Sequence, residues 1–129
     1  MIRFLDITTI LIFHENQIQN YGGTKGIRDE GLLESAMAQA KQSFGGEYIH
    51  SNIFEMAAAY GFHICKNHPF FDGNKRTTLV AMYTFLFVNG WRLVAEKKVL
   101  YATIMALASG NLEKVELADF LKEHSIKKE

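Results

Sequence analysis

Positions 79–88 contain no charged residue, and a strongly polar segment at positions 68–77 precedes them directly. An uncharged run of this length predicts a helix that is buried on most of its faces. The polar segment, HPFFDGNKRT, then places Asn74, Lys75 and Arg76 in or just before the first turn of that helix. We therefore expect this helix and its polar start to be central to the fold.

The start of this helix is the place where the chain could bind an anion. A helix N-terminus carries roughly half a positive charge and unpaired N–H groups, so acidic residues normally lie there. Lys75 and Arg76 instead add two positive charges, of which Asp72 can offset one. N–H groups beside two cations suit a phosphate. His68 and Asp72 could instead only cap the helix beside solvated cations, but the whole set at one helix start favours a phosphate site.

Asp72 and His68 supply two further chemical functions beside such a phosphate. Mg²⁺ prefers one or two carboxylates plus phosphate oxygens, so Asp72 is a candidate metal ligand. Histidine titrates near neutral pH, so His68 could accept the proton of an attacking hydroxyl group. Phosphoryl transfer mainly needs positioning and charge neutralisation, which Lys75, Arg76 and Mg²⁺ would provide. A serine hydrolase is the weaker alternative, because no serine lies in a nucleophile-elbow sequence.

The composition predicts a single globular domain over residues 1–129 in the cytoplasm. Hydrophobic residues make up 48% of the chain, which is typical of a globular protein. The formal net charge is zero, which argues against a general nucleic-acid surface. Cys65 is the only cysteine, so an internal disulfide is impossible and a reducing compartment fits. Asp6 interrupts the apolar start, which argues against a signal peptide, and no segment approaches the length of a membrane span.

Periodicity and capping residues predict about six helices. Asp6, Asp29 and Ser51 would cap helices at about 7–21, 30–42 and 52–67. The uncharged helix would end at residues 89–90, and two more helices are expected at about 97–108 and 112–124.

Three segments outside the helices carry their own expectations. Residues 91–95 predict a brief strand, and residues 126–129 a frayed tail. Residues 43–50 contain two adjacent glycines and are either an ordinary loop or a flap over the cleft that holds a target peptide as an added strand.

The segment HPFFDGNKRT closely resembles the signature of the Fic/Doc superfamily, and Lys75 makes it similar to the Doc (death-on-curing) branch. Doc-like residues also stand at 21–23, 26–29, 32–36 and 89–90, so the resemblance reaches from the first helix to about residue 90. Two positions depart from the Fic enzymes. Lys75 replaces a glycine, and Leu79 stands where those enzymes have a second arginine that holds the γ-phosphate. Both departures favour the Doc branch over AMP transfer.

The resemblance implies an all-α bundle of about six helices around a central buried helix, with a short β flap or hairpin at most. It also favours the flap over the ordinary loop for residues 43–50. It also implies the roles of individual residues. His68 would be the catalytic base, Phe70 would anchor the loop in the core, and Asp72 would bind or orient Mg²⁺. The nucleotide phosphates would be cradled by Gly73, Asn74, Lys75 and Arg76.

The implied activity is transfer of the γ-phosphate of ATP to a hydroxyl group of a protein, with translation elongation factor Tu as the known target in the family. The implied biology is a toxin of a toxin–antitoxin pair that blocks translation. Fic-type AMP transfer and a catalytically idle binding module remain alternatives. The chain lacks the self-inhibitory Ser/Thr-x-x-x-Glu-Gly/Asn pattern. Control by an antitoxin segment that folds into a groove is therefore expected, with no nucleic-acid or membrane partner.

Overall fold

The computed structural model describes all 129 residues, from Met1 to Glu129. Its six helices are α1 (Ile7–Tyr21), α2 (Glu30–Gln39), α3 (Ile53–Asn67), α4 (Asn74–Val88), α5 (Lys97–Ala108) and α6 (Lys114–Glu123). Four short strands form two antiparallel pairs: β1 (Ser43–Phe44) with β2 (Glu47–Tyr48), and β3 (Trp91–Leu93) with β4 (Ser125–Lys127). The predicted helical bundle with a short hairpin is therefore confirmed.

The bundle is built around α3 rather than around α4. Nine of the fifteen residues of α3 are buried, against seven of the fifteen residues of α4. Only Lys75, Tyr83 and Phe87 of α4 are exposed, so the prediction that this helix is buried on most of its faces is confirmed. Small residues let α3 approach its neighbours. A Cβ atom on Gly61 would lie 2.8 Å from Cγ of Met82 in α4, so a larger residue there would displace the Met82 side chain.

Short polar side chains begin the first three helices. Asp6, Asp29 and Asn52 each accept a hydrogen bond from the amide three residues further on, at 2.8, 2.9 and 2.9 Å. The sequence-based prediction of Ser51 as the cap of α3 is wrong. The hydroxyl of Ser51 instead donates to the carboxylate of Glu55, at 3.1 Å, because Asn52 already occupies the capping position.

The hairpin of β1 and β2 lies at the N-terminal end of α3. The ring of Tyr48 in β2 packs edge-on against the ring of Phe4, with ring centroids 5.4 Å apart. The ring centroid of Phe4 lies 6.0 Å from that of Phe85, near the end of α4. His68 lies at the opposite end of α3, about 20 Å away along a helix of this length. The hairpin is therefore present as predicted, but its predicted position as a flap over the cleft is wrong.

The C-terminal residues are paired rather than frayed. Trp91 lies opposite Lys127 in the β3–β4 pair, and the amide of Lys128 donates to the carbonyl of Gly90 at 2.8 Å. The ammonium group of Lys128 also lies 3.9 Å from the centre of the Phe87 ring. The prediction of a frayed tail is therefore wrong. None of the helices is long and apolar enough to cross a membrane.

Candidate functional site

His68 ends α3 in a left-handed backbone conformation. Its φ and ψ are 50° and 54°, and it is the only residue other than glycine with a positive φ. Its amide still donates to the carbonyl of Ile64, at 3.2 Å, and Pro69 then prevents the helix from continuing. This conformation costs on the order of 1 kcal/mol for a residue with a side chain, so the surroundings must impose it. The imidazole side chain is exposed.

Asn74 fixes the loop that joins α3 to α4. Its side chain is only 4% exposed; Oδ1 accepts from the amide of Phe70 at 3.0 Å, and Nδ2 donates to the carbonyl of the same residue at 2.9 Å. Both ends of the Asn74 side chain are therefore occupied by the loop backbone. Only the backbone N–H of Asn74 is therefore available to bind a phosphate. The fully buried ring of Phe70 stacks on His14, with ring centroids 3.8 Å apart.

A segment between α1 and α2, residues 22–28, lies along this loop. Ile27 forms an antiparallel bridge with Phe70, and the amide of Phe71 donates to the carbonyl of Gly26 at 3.3 Å. Gly26 has a φ of 108°, and a Cβ there would lie 3.6 Å from the Phe71 ring. Sequence reasoning missed the contact of this segment with the loop. The glycines at 22, 23 and 26 were the available signal, since all three have a positive φ.

Asp72 is held by two partners that lie outside the 68–77 segment. The amide of Thr24 donates to its Oδ2, and Nε2 of His14 donates to its backbone carbonyl, both at 2.8 Å. The hydrogen bond from Thr24 is the main cause that lowers the pKa of Asp72, and the charge of Arg76 lowers it further. Asp72 is therefore an exposed carboxylate that stays ionised at neutral pH. His14 and Thr24 are positioning residues that the sequence did not reveal.

The N-terminus of α4 lacks the side-chain cap found on α1, α2 and α3. Its N-cap residue is Gly73, with a φ of 78°, and no acidic residue lies in its first turn. The amides of Asn74, Lys75 and Arg76 donate no hydrogen bond to the protein. The helix therefore presents three N–H groups and the positive end of its dipole without a compensating group of its own.

The two cations at this helix start are held differently. Arg76 donates from Nη2 to the carbonyl of Gly22 at 2.9 Å, and its guanidinium carbon lies 5.4 Å from the centre of the Tyr21 ring. Lys75 is exposed, and its ammonium group donates no hydrogen bond. Arg76 is thus fixed beside the first turn, whereas Lys75 is free to meet an incoming anion.

No group of three or more His, Cys, Asp or Glu side chains could hold a metal ion. Asp72 is the one carboxylate beside the free amides of α4, so a metal bound there would need ligands from outside the chain. One carboxylate, water and phosphate oxygens make a suitable set for Mg²⁺. The residues present therefore fit a magnesium ion that enters together with a nucleotide.

The larger of two pockets in the protein does not lie at this site. It has a volume of about 620 Å³ and is lined by Ile2, Tyr48, Phe54, Trp91 and neighbouring residues, with no Lys or Arg among them. A smaller pocket of about 220 Å³ lies between α1 and residues 25–27, beside the loop. The larger pocket has no cation that could bind a phosphate, so the helix start is the better candidate despite its open surface.

Comparison with known proteins gives three matches. A model of the Fic/DOC family matches residues 4–86. Toxin Doc of Mycolicibacterium smegmatis is 38% identical over 76 residues, which cover 59% of this chain and 58% of that relative. Protein kinase doc of Escherichia phage P1 is 29% identical over 120 residues, which cover 93% of this chain and 94% of that relative. The chain thus spans over half of the first relative and nearly all of the second.

Proposed function

The chain belongs to the Fic/DOC family, and on that basis we propose that it is a Doc-type toxin that phosphorylates a protein. The donor would be ATP, the transferred group its γ-phosphate, and the acceptor a hydroxyl group of the target. The observation that carries this proposal is the start of α4, where three free N–H groups lie beside Lys75 and Arg76. The relatives agree with it in name, since one is a toxin and the other a protein kinase.

The phosphates of ATP would bind to the first turn of α4. The amides of residues 74–76 would donate to phosphate oxygens along the helix dipole. Lys75 would contribute a mobile positive charge, and Arg76 would contribute the N–H groups that its bond to Gly22 leaves free. Asn74 would take part only through its backbone, because its side chain is bound to Phe70.

His68 would act as the general base. In the reaction, the target hydroxyl oxygen forms a bond to the γ-phosphorus while the bond from that phosphorus to the β–γ bridging oxygen breaks. The exposed imidazole of His68 takes the hydroxyl proton, and ADP leaves with the electron pair of the broken bond. Two buried helices, α3 and α4, hold this loop from both ends, which gives the base a rigid mount.

Asp72 would hold a magnesium ion together with the nucleotide. Its carboxylate is ionised and exposed, and Thr24 fixes the orientation of one of its two oxygens. When bound, the ion would neutralise charge that develops on the phosphates. Arg76 and the amides of α4 provide the same kind of stabilisation from the protein side.

Two residues favour transfer of the γ-phosphate over transfer of AMP. Lys75 adds a side chain where Fic enzymes have a glycine. Leu79 is half-buried and packs against the hydrophobic core, so it offers no donor for a terminal phosphate. We also propose elongation factor Tu as the target and an antitoxin segment as the inhibitor, both from the resemblance to the Doc branch.

Intact-mass spectrometry tests this function directly. Elongation factor Tu is incubated with the protein, Mg²⁺ and ATP, and with matched samples of His68→Ala and His50→Ala. His50 is a histidine at the opposite end of α3, so its variant should keep full activity. A phosphate-sized gain that is absent only with His68→Ala supports the proposal. An AMP-sized gain would establish nucleotidyl transfer instead, and no gain with any sample would contradict this target.

A further inference from the structure

We propose that Arg28 is a positioning residue that holds the catalytic histidine in its left-handed conformation. This inference rests on the proposed function, because Arg28 would affect catalysis only if His68 is the catalytic base. Arg28 lies in the segment of residues 22–28, and its hydrogen bonds go to residues 67–69 rather than to Asp72 or α4. Its effect on catalysis would therefore act through the backbone of the neighbouring loop.

Arg28 donates to three consecutive carbonyl groups around the histidine. Nε donates to the carbonyl of His68 at 2.7 Å, and Nη2 donates to that of Asn67 at 2.9 Å. The backbone amide of Arg28 donates to the carbonyl of Pro69 at 2.6 Å. One residue thus fixes the peptide units before and after the only positive-φ position that has a side chain.

Arginine is well suited to this position. The planar guanidinium presents two parallel donors in a fixed geometry, so it can bind two carbonyls at once, whereas an ammonium group is a single point charge. Its positive charge also lies at the C-terminal end of α3, where the helix dipole favours a cation. Neither carbonyl that accepts from the guanidinium has another hydrogen-bond partner in the protein.

Arg28 is itself held by the start of α2. The next residue, Asp29, caps α2, because its side chain accepts a hydrogen bond from the amide of Leu32. The backbone amide of Asp29 donates to the carbonyl of Pro69 at 3.0 Å. Asn67 donates from Nδ2 to the carbonyl of Leu32 at 2.9 Å, which ties the end of α3 to α2 a second time. The guanidinium therefore extends from a rigid mount, and the position of the histidine is set by α2 as well as by α3.

Three variants separate this role from a general effect on folding. Arg28→Ala removes both side-chain hydrogen bonds, and Arg28→Lys keeps the charge but loses the paired donors. Arg92→Ala is the matched control, because Arg92 is an exposed arginine on β3, at the far end of the molecule. For Arg28→Ala we expect kcat for phosphoryl transfer to fall about 10- to 100-fold, with KM for ATP unchanged within about twofold. Arg28→Lys should recover part of the loss, and Arg92→Ala should match the wild type.

Amide hydrogen exchange gives a readout that does not depend on activity. The amide of His68 donates to Ile64, so its protection reports whether the end of α3 opens. In Arg28→Ala, this amide should exchange at least about tenfold faster, while that of Tyr60 in the middle of α3 keeps its rate. Unchanged exchange at His68, or an unchanged kcat in Arg28→Ala, would overturn the inference. Faster exchange with no phosphoryl transfer by the wild type would contradict the proposed function but leave the structural role of Arg28 intact.

Discussion

The two ends of the α3–α4 pair differ in chemistry although the same two helices join them. At one end, which we call the motif end, the chain turns through residues 68–76 and is covered by residues 22–28. At the other, the distal end, α3 begins beside the β1–β2 hairpin and α4 ends near Trp91. The motif end has hydrogen-bonded loops, a small pocket, and the cations Lys75 and Arg76 at the start of α4. The distal end has aromatic contacts and the larger of the two pockets.

The larger pocket and the groups that could bind a phosphate therefore lie at different ends of the molecule. The distal pocket of about 620 Å³ could enclose a ligand, but its lining includes the acidic Glu47 and no cation. The motif end encloses little space, yet its free amides, Lys75 and Arg76 match the charge of a phosphate chain. Recognition of a highly charged ligand depends more on preorganised donors than on enclosed volume. Paired substitutions at the two ends can test this difference.

The largest expected difference concerns the two histidines at opposite ends of α3. His68→Ala should lower the rate of phosphoryl transfer by roughly 10²- to 10⁴-fold, because the attacking hydroxyl loses its base. His50→Ala, at the distal end, should leave the rate unchanged. Transfer of ³²P from γ-labelled ATP measures both rates. Equal rates for the two variants would place the chemistry elsewhere.

A second pair compares a buried asparagine, Asn74, with a helix-capping asparagine, Asn52. Asn74→Ala should lower the free energy of unfolding by about 2–4 kcal/mol, because the amide and carbonyl of Phe70 both lose their partner in a buried loop. Asn52→Ala removes only the cap of α3 and should cost about 1 kcal/mol. Urea unfolding followed by circular dichroism measures both values. A cost for Asn74→Ala no larger than that for Asn52→Ala would show that the motif loop is held by other contacts.

A third pair compares two arginines. Arg76→Ala should weaken ATP binding about tenfold, because a charged donor to phosphate is lost. Arg92→Ala removes the same charge from β3 and should not change the affinity, so any effect of net charge alone is controlled. Isothermal titration calorimetry at one fixed salt concentration gives both dissociation constants. An affinity that is unchanged in Arg76→Ala would contradict the assignment of Arg76 to the phosphate site.

The smallest expected effect lies between the two ends, at His63 in α3. Burial lowers the pKa of His63 to about 4, and the nearby Lys114, which donates to its Nε2 at 3.1 Å, acts in the same direction. The unfolded chain binds this proton with a pKa of about 6.5, so the stability contributed by neutral His63 is present above that pH and is lost as pH falls towards about 4. His63 is half-buried, so solvent screening keeps the effect to the order of 1 kcal/mol.

His63→Gln tests this dependence, since glutamine can still accept from Lys114 but does not titrate. Urea unfolding at pH 7 and pH 5 should show a smaller loss of stability for His63→Gln than for the wild type. An identical loss in the two proteins would mean that another group causes it.

The starts of α1, α2 and α4 and the end of α4 could be predicted because their signals are local. Asp6 and Asp29 are capping residues next to the helices that they begin, and the end of α4 follows from an adjacent Asn-Gly pair. The role of Asn74 could not be predicted in the same way. The side-chain amide of Asn74 could bind either a phosphate or the backbone of a loop. Only the folded structure shows that the backbone of Phe70 binds it.

The remaining differences depend on contacts that are distant in the sequence. β4 pairs with β3 across more than thirty residues, so the pattern of the tail alone could not reveal it. The hairpin could be identified from Gly45 and Gly46, but its position depends on the packing of Tyr48 against Phe4. The contacts of Arg28 and Thr24 with the motif end likewise join segments about 40 residues or more apart, which no local periodicity encodes.

The most direct test asks where ATP binds on the folded protein. Backbone amide signals in a ¹H–¹⁵N correlation spectrum are followed as ATP and Mg²⁺ are added to the wild-type chain. If the phosphate site lies at the start of α4, the amides of residues 73–76 and of Thr24 shift most, while those of Tyr48, Ile53 and Trp91 around the distal pocket stay in place. Shifts confined to the distal pocket, with the first turn of α4 unaffected, would contradict the assignment of nucleotide binding to the motif end.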